Sequence, residues 1–311
     1  MIKTTAVVVS SPRNLALQPL ALIPPDGPHA LVEVSYSGIS TGTERLLWTG
    51  NMPPFPGMGY PLVPGYETVA RVLNVPQGYG ISEGDLVYVP GANCYGAVRG
   101  LFGGAAKHIA IAPQKLTKID EAMGESGTLL ALAATAYHAV TLGRLPELMI
   151  GHGVLGRLIA RITKALGGAP TVWESNADRR NGAVDYQVLD PASDTRKDYA
   201  TILDASGDPA ILDRCMMHLA RRGEIILAGF YSEPLHFVFP PAFMREAVVR
   251  IAAQWEARDL QAVLDLLARG KLSLDGLITH RSAAVDAPSA YETAFQDVAC
   301  LKMVLDWRNF Q

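Results

Sequence analysis

The spacing of apolar positions changes character once along the chain. Up to about residue 118 they fall in short runs: Ala30-Leu31-Val32-Glu33-Val34-Ser35-Tyr36, Thr68-Val69-Ala70-Arg71-Val72-Leu73 and Asp85-Leu86-Val87-Tyr88-Val89. Glycine and proline turns separate them, a pattern that predicts a β-rich domain. Two irregular stretches interrupt it. Asn51 to Gly65 is proline-rich and carries the bulky Phe55, Met58 and Tyr60, and Pro90 to Gly104 is glycine-rich. Long loops in a compact domain are commonly functional. From Glu125 the spacing turns helical, first in the alanine-rich run Ser126 to Leu142. Strand and helix patterns then alternate: Leu148-Met149-Ile150, a helix over 157–166, Val172 to Glu174, Gln187 to Leu189, Thr201 to Asp204, a helix over 209–220, and Glu224 to Ala228. Alternation of this kind predicts an α/β fold with a doubly wound parallel sheet. The run Val248 to Ala253 reads as an edge that could pair between subunits, and a helix follows from Trp255 to Arg269. A final segment, Leu277 to His280, a helix over 286–296 and Leu301 to Leu305, resembles a return to the first domain. The expected division is 1–124, 125–275 and 276–311.

The junction between the first of these strands and its helix carries the clearest chemistry. It reads Gly151-His152-Gly153-Val154-Leu155-Gly156, and the next strand ends in an acid, Glu174. This is the layout of a dinucleotide-binding unit. Gly151 makes the turn, Gly153 lets the backbone approach a pyrophosphate, and Gly156 lets the helix pack closely. The helix N-terminus offers free N–H groups and a positive dipole end to phosphates. Glu174 would accept hydrogen bonds from the adenosine ribose and repel a 2′-phosphate, which favours NAD. Arg179 and Arg180 follow closely and keep NADP open. Ligands of open α/β sheets bind at the carboxyl ends of strands, so Asp204-Ala205-Ser206-Gly207 and Ala228-Gly229-Phe230 are further cofactor-contact candidates through Asp204, Ser206 and Gly229. Each is also an ordinary strand-ending turn.

Composition narrows the class. The 311 residues are 49% hydrophobic and 18% charged, with a net charge of −3, so no basic excess points to nucleic acid. The start has no secretory pattern, and no apolar run reaches the length of a membrane span. Three scattered cysteines give neither a disulfide framework nor a cysteine zinc cluster. The expectation is a cytoplasmic enzyme.

A β-rich first domain, a nucleotide fold in mid-chain and a C-terminal return resemble the medium-chain dehydrogenase/reductase superfamily over essentially the whole chain. The resemblance implies a Rossmann-type domain joined to a GroES-like catalytic domain. Zinc alcohol dehydrogenases of that superfamily place a cysteine in the segment similar to Gly38-Ile39-Ser40-Thr41-Gly42-Thr43-Glu44, a histidine in the one similar to Gly65-Tyr66-Glu67, and a second cysteine near Ala131. Ser40, Tyr66 and Ala131 stand there instead, and none is a good zinc ligand. The expectation is a site without metal. Ser37 to Glu44, Met52 to Glu67, Pro90 to Cys94 and Cys300 to Asn309 resemble one branch more closely, the 3-hydroxyethyl (bacterio)chlorophyllide a dehydrogenases. That resemblance implies NAD-dependent oxidation of a ring-A hydroxyethyl group to acetyl on a tetrapyrrole.

A metal-free site needs another proton acceptor, because zinc would otherwise acidify the bound hydroxyl. A conjugated macrocycle eases the demand by delocalising positive character from the carbinol carbon. The candidates are Thr43 and Glu44, with Ser40, Tyr66 and Glu67; in such positions the two acids more often anchor loops or arginines. Standing where a zinc ligand would, Tyr66 should face the nicotinamide, its phenol neutral in an apolar slot and acting as donor and relay. The alternative is that Tyr66 packs against the aromatic loop with its hydroxyl on backbone. Thr135, on the helix opposite the glycine turn, is a nicotinamide-contact candidate. A flat macrocycle needs a wide apolar slot with few polar anchors. Phe55, Met58, Tyr60, Tyr95 and Phe102 could line it, with Arg99 or Lys107 holding a propionate. Two rival readings share the architecture: a zinc-free NAD(P)H-dependent quinone or enoyl reductase, and a non-catalytic nucleotide- or pigment-binding protein.

Overall fold

The computed structural model describes residues 2–54 and 56–310. It divides into two compact units. One runs to Ala131 and resumes at Ile278; the other is Leu132–Leu277.

The first unit is built from β1 (Lys3–Ser11), β2 (Asn14–Ala21), β3 (Ala30–Ile39), α1 (Thr43–Thr49), β4 (Leu62–Val63), β5 (Thr68–Asn74), β6 (Leu86–Val89), β7 (Arg99–Gly100), β8 (His108–Ile111) and β9 (Thr117–Lys118). A 3-10 stretch, Glu121–Leu129, leads into α2 (Leu130–Thr141), which crosses the boundary between units. The expected single helix from Ser126 is therefore split, because its first residues form 3-10 turns beyond a non-helical Gly124. In β3 the period of two decides what is buried: Ala30, Val32 and Val34 face the core while Leu31, Glu33 and Ser35 are partly exposed.

The second unit holds β10 (Leu148–Ile150), α3 (Val154–Ala165), β11 (Thr171–Trp173), β12 (Gln187–Leu189), β13 (Tyr199–Asp204), α4 (Ile211–His218), β14 (Leu219–Leu227), α5 (Phe239–Arg245), β15 (Val248–Ile251) and α6 (Ala257–Ala268). Its six strands run parallel in the order β12-β11-β10-β13-β14-β15. Helices on both faces of a parallel sheet demand strands apolar on both sides, and Leu148, Met149 and Ile150 are all buried. Each such side chain contributes about 1.5–3 kcal/mol by leaving water. Strand order reverses between β10 and β13, where Ile150 pairs with Asp204, so the turns that follow these strands flank the switch point.

One boundary departs from expectation. The helix read over 209–220 ends at His218, and β14 begins at Leu219 rather than Glu224. Leu219 pairs with Tyr199, and an irregularity in the ladder follows. Arg222 sits at φ 60°. Pairing with β13 outweighs the helical preference of Leu219-Ala220-Arg221.

The chain then returns to the first unit through β16 (His280–Ala283), α7 (Ala287–Gln296) and β17 (Met303–Asp306). β17 pairs antiparallel with β3, Met303 opposite Ile39 and Leu305 opposite Ser37. A sheet in the order β16-β17-β3-β5-β6-β9, with β8 also on β3, thus contains strands from both ends of the sequence. A second sheet, β2-β1-β4-β7, completes the unit.

Candidate functional site

In the second unit β10 hands over to α3 through the glycine turn. Gly151 has φ 96°, in the left-handed region. Gly156 is required by approach: a Cβ there would lie 2.1 Å from the Gly151 carbonyl oxygen. Gly153 is the N-cap of α3, with no side-chain cap and no atom within 4 Å of where a Cβ would project. Val154 and Leu155 open the helix. The unsatisfied N–H groups of this first turn suit an anionic ligand.

Glu174 lies just past β11, buried against the same turn. Its carboxylate accepts from His152 N (3.0 Å) and Asn176 N (2.8 Å). His152 has its main-chain N–H on Glu174 and its imidazole turned inward, fully buried, bonded to the Arg179 carbonyl and the Tyr186 hydroxyl. Its side chain is therefore internal, which the reading of His152 as a cofactor contact did not anticipate. Across the switch point Asp204 is fully buried and accepts from Ser206 N (3.2 Å), Ser206 Oγ (2.7 Å) and the Tyr231 hydroxyl. Its main-chain oxygen accepts from Ala228 N and Gly229 N, so the turns after β13 and β14 are tied together. Burial pushes the Asp204 carboxyl up. Thr135 sits half-buried on α2.

In the first unit β3 delivers Ser40 to the start of α1, whose first two residues are Thr43 and Glu44. Gly65 turns the chain toward Tyr66. Ser40 Oγ and Tyr66 Oη are hydrogen-bonded at 2.7 Å. Tyr66 also meets the Phe102 ring edge-on, 5.1 Å between centroids. The ring packs on the aromatic loop, as one of the two readings had it, but the hydroxyl bonds the Ser40 side chain rather than backbone. Burial, and then the charge of Glu67, lift the phenol above its ordinary range.

Within the same unit lies a fully buried charged group. Lys302 Nζ, just before β17, bonds Glu67 Oε2 (2.6 Å) and the Ile39 carbonyl (3.1 Å). Glu44 accepts from Tyr291 of α7 (2.8 Å). The ammonium pairs with Glu67, and burial, reinforced by the Glu67 charge, pushes Glu44 up to about 8 against the pull of Tyr291 and Lys302. Lys302 and Tyr291 are the functional-cluster residues that sequence reasoning missed. The available signal was a lone cation inside the apolar run Leu301-Lys302-Met303-Val304-Leu305.

The residues read as a pigment slot separate. Met58, Tyr60 and Phe102 join Leu47, Leu62 and Leu101 in one apolar cluster. The Tyr60 hydroxyl donates to the Leu47 carbonyl. Tyr95 belongs elsewhere: it is buried in the main core of the unit, its hydroxyl donating to the Gly103 carbonyl (2.6 Å). Arg99 is exposed and passes beside Gly59. Lys107 is engaged by Glu33 (3.0 Å) and the Trp307 carbonyl (2.9 Å), which removes it as a propionate anchor. Phe55 lies outside the described residues.

The zinc that the fold family implies does not fit the donors present. Ser40 and Tyr66 offer neutral hydroxyls bonded to each other, and Ala131 offers nothing. Among the described residues no group of three or more His, Cys, Asp or Glu could hold a metal ion. No helix among them is long and apolar enough to cross a membrane.

Comparison with known proteins agrees with this architecture. Residues 26–121 match the alcohol dehydrogenase GroES-like domain. An alcohol dehydrogenase of Escherichia coli CFT073, solved with NADH, superposes with a TM-score of 0.82 at 21% identity, covering 98% of this chain and 99% of that one. The 2-desacetyl-2-hydroxyethyl bacteriochlorophyllide A dehydrogenase of Rhodobacter capsulatus is 52% identical, covering 99% of each chain. The protein of that name from Cereibacter sphaeroides is 54% identical over 98% of this chain and 99% of its own. With such identity sustained from end to end, the chain belongs to the family of 2-desacetyl-2-hydroxyethyl bacteriochlorophyllide A dehydrogenases.

Proposed function

We propose that the chain oxidises the 3-(1-hydroxyethyl) group of (bacterio)chlorophyllide a to 3-acetyl, with NAD as acceptor and without zinc. The observation that carries this reading is the 2.7 Å bond between Ser40 Oγ and Tyr66 Oη, where zinc enzymes of the superfamily hold metal ligands. Bound NAD would supply the hydride acceptor. The oxidation removes a hydride from the carbinol carbon and a proton from its oxygen. Tyr66, neutral because it is buried, orients the substrate hydroxyl, receives its proton and passes its own to Ser40 or Thr43, which would in turn release its own hydroxyl proton toward the cofactor ribose and solvent. The macrocycle delocalises positive character at the carbinol carbon, so no full alkoxide has to form first.

Glu174 supports NAD over NADP, since a buried carboxylate opposes a 2′-phosphate. Gly153 and the first turn of α3 would hold the pyrophosphate. Met58, Tyr60 and Phe102 would meet the flat face of the pigment, with Arg99 available to its propionate. We assign the protein to the cytoplasm and read it as a homodimer paired through β15, whose Val248 (42%), Val249 (40%) and Ile251 (65%) are exposed.

The decisive experiment is anaerobic incubation of the purified protein with NAD and hydroxyethyl bacteriochlorophyllide. A Q-band shift should accompany NADH formation as the acetyl group joins the conjugation. NADH without a pigment change, or no turnover despite tight nucleotide binding, would overturn the reading.

A further inference from the structure

The second unit holds another buried polar cluster beside the glycine turn, which the dehydrogenase chemistry leaves unused. Its anchor is Arg157, the residue after Gly156, only 7% exposed. Its guanidinium grips main-chain carbonyls: Nε donates to His152 (3.1 Å), Nη1 to Gly182 (3.1 Å), and Nη2 to Asn181 (2.7 Å) and Arg179 (3.2 Å). Gly182 passes so close that a Cβ on it would stand 2.2 Å from Arg157 Nη1. His152 reaches the same segment. Its Nδ1 lies 2.6 Å from the Arg179 carbonyl and must be the protonated nitrogen, which leaves Nε2 to accept from Tyr186 (2.8 Å). One helical turn on, Arg161 Nη1 donates to the carbonyls of Ser273 (2.8 Å) and Asp275 (2.9 Å).

We propose that Arg157 and His152 are positioning residues that lock segment 179–182 against the glycine turn and thereby set the choice between the two nicotinamide dinucleotides. The proposal rests on reading this unit as the nucleotide site. Segment 179–182 begins with the two arginines that could meet a 2′-phosphate. Locked, it leaves Arg180 paired with Asp190 at 2.6 Å and keeps Glu174 on the turn. Released, it would have to be ordered at each binding event. Each residue newly ordered on binding weakens affinity by roughly five- to thirtyfold. The freed arginines would meanwhile favour the 2′-phosphate and offset that loss for NADP.

The test titrates NAD and NADP separately by calorimetry into wild type, Arg157→Leu and Tyr186→Phe, and follows amide hydrogen exchange over 179–182. Arg157→Leu should weaken NAD by roughly tenfold, leave NADP nearly unchanged, and so narrow the ratio between them. Exchange over the segment should quicken. Tyr186→Phe keeps the ring and removes only the hydroxyl on His152; it should move the ratio the same way by less, and it decides the matter if Arg157→Leu does not fold. A ratio equal to wild type in every folded variant overturns the proposal, even with faster exchange, because the cluster would then be structural only. Preference for NADP in the wild type would instead overturn the NAD reading, and the shift in ratio would still judge the lock.

Discussion

Tyr66, the proposed proton relay, and Lys302, the buried partner of Glu67, can each be tested by a single substitution. Tyr66→Phe keeps the ring against Phe102 and removes the hydroxyl that Ser40 bonds. The expected result is a folded, NAD-binding protein whose turnover falls roughly ten- to a thousandfold. Thr43→Val should act in the same direction. Full turnover in Tyr66→Phe but not in Thr43→Val would leave the relay to Thr43 alone. Lys302 answers to stability. Lys302→Met leaves Glu67 buried without its ammonium and should cost about 3–5 kcal/mol in urea unfolding at pH 8. The double variant with Glu67→Gln should recover most of that loss. Glu44 gives a pH signature. Its folded value of about 8 stands above the ordinary 4.5, so between them the folded chain holds a proton that the unfolded chain releases. The stability Glu44 contributes is whole below pH 4.5 and is lost as pH rises through 8. Glu44→Gln, which cannot ionise, should flatten stability across that window; an unchanged slope would mean that another group governs it.

At the scale of elements, the strand–turn–helix around Gly151 divides its labour between glycines. A Cβ added at Gly153 has no protein atom within 4 Å, so Gly153→Val should fold normally yet bind no NAD. Gly156→Ala, with its Cβ 2.1 Å from the Gly151 oxygen, should lose about 1–3 kcal/mol in a thermal melt even before nucleotide is added. Native NAD affinity in Gly153→Val would remove the turn from the site. This element was legible in the sequence because everything that defines it is local: an apolar strand, three glycines, a helical stripe and an acid at the next strand's end. The start of β14 was not, because Leu219 is held by pairing with Tyr199 across the sheet rather than by its neighbours. The charged cluster was hidden for the same reason. Glu44 and Tyr291 are 247 residues apart, and no periodicity spans that distance.

For the whole molecule, the purified protein should carry no stoichiometric zinc and keep its activity in chelator. About one zinc per chain would overturn the proposed proton path. A charge on the exposed edge, Val249→Lys, should shift sedimentation from dimer to monomer if β15 pairs between copies. Retention of the dimer would move the interface elsewhere. The route of the chain has a further consequence, for how the protein is made. Glu67 leaves the ribosome 235 residues ahead of Lys302. At about 5–20 residues per second that is an interval of roughly 10–50 s. Throughout it the nascent first unit has an unpaired edge on β3, where β17 will later dock, and an acid with no counter-ion. The intervening unit, whose sheet draws on its own residues alone, can finish folding during the wait. Translation therefore presents the cell with a completed nucleotide fold tethered to an open, sticky sheet, and the last strand to emerge both closes that sheet and quenches its charge.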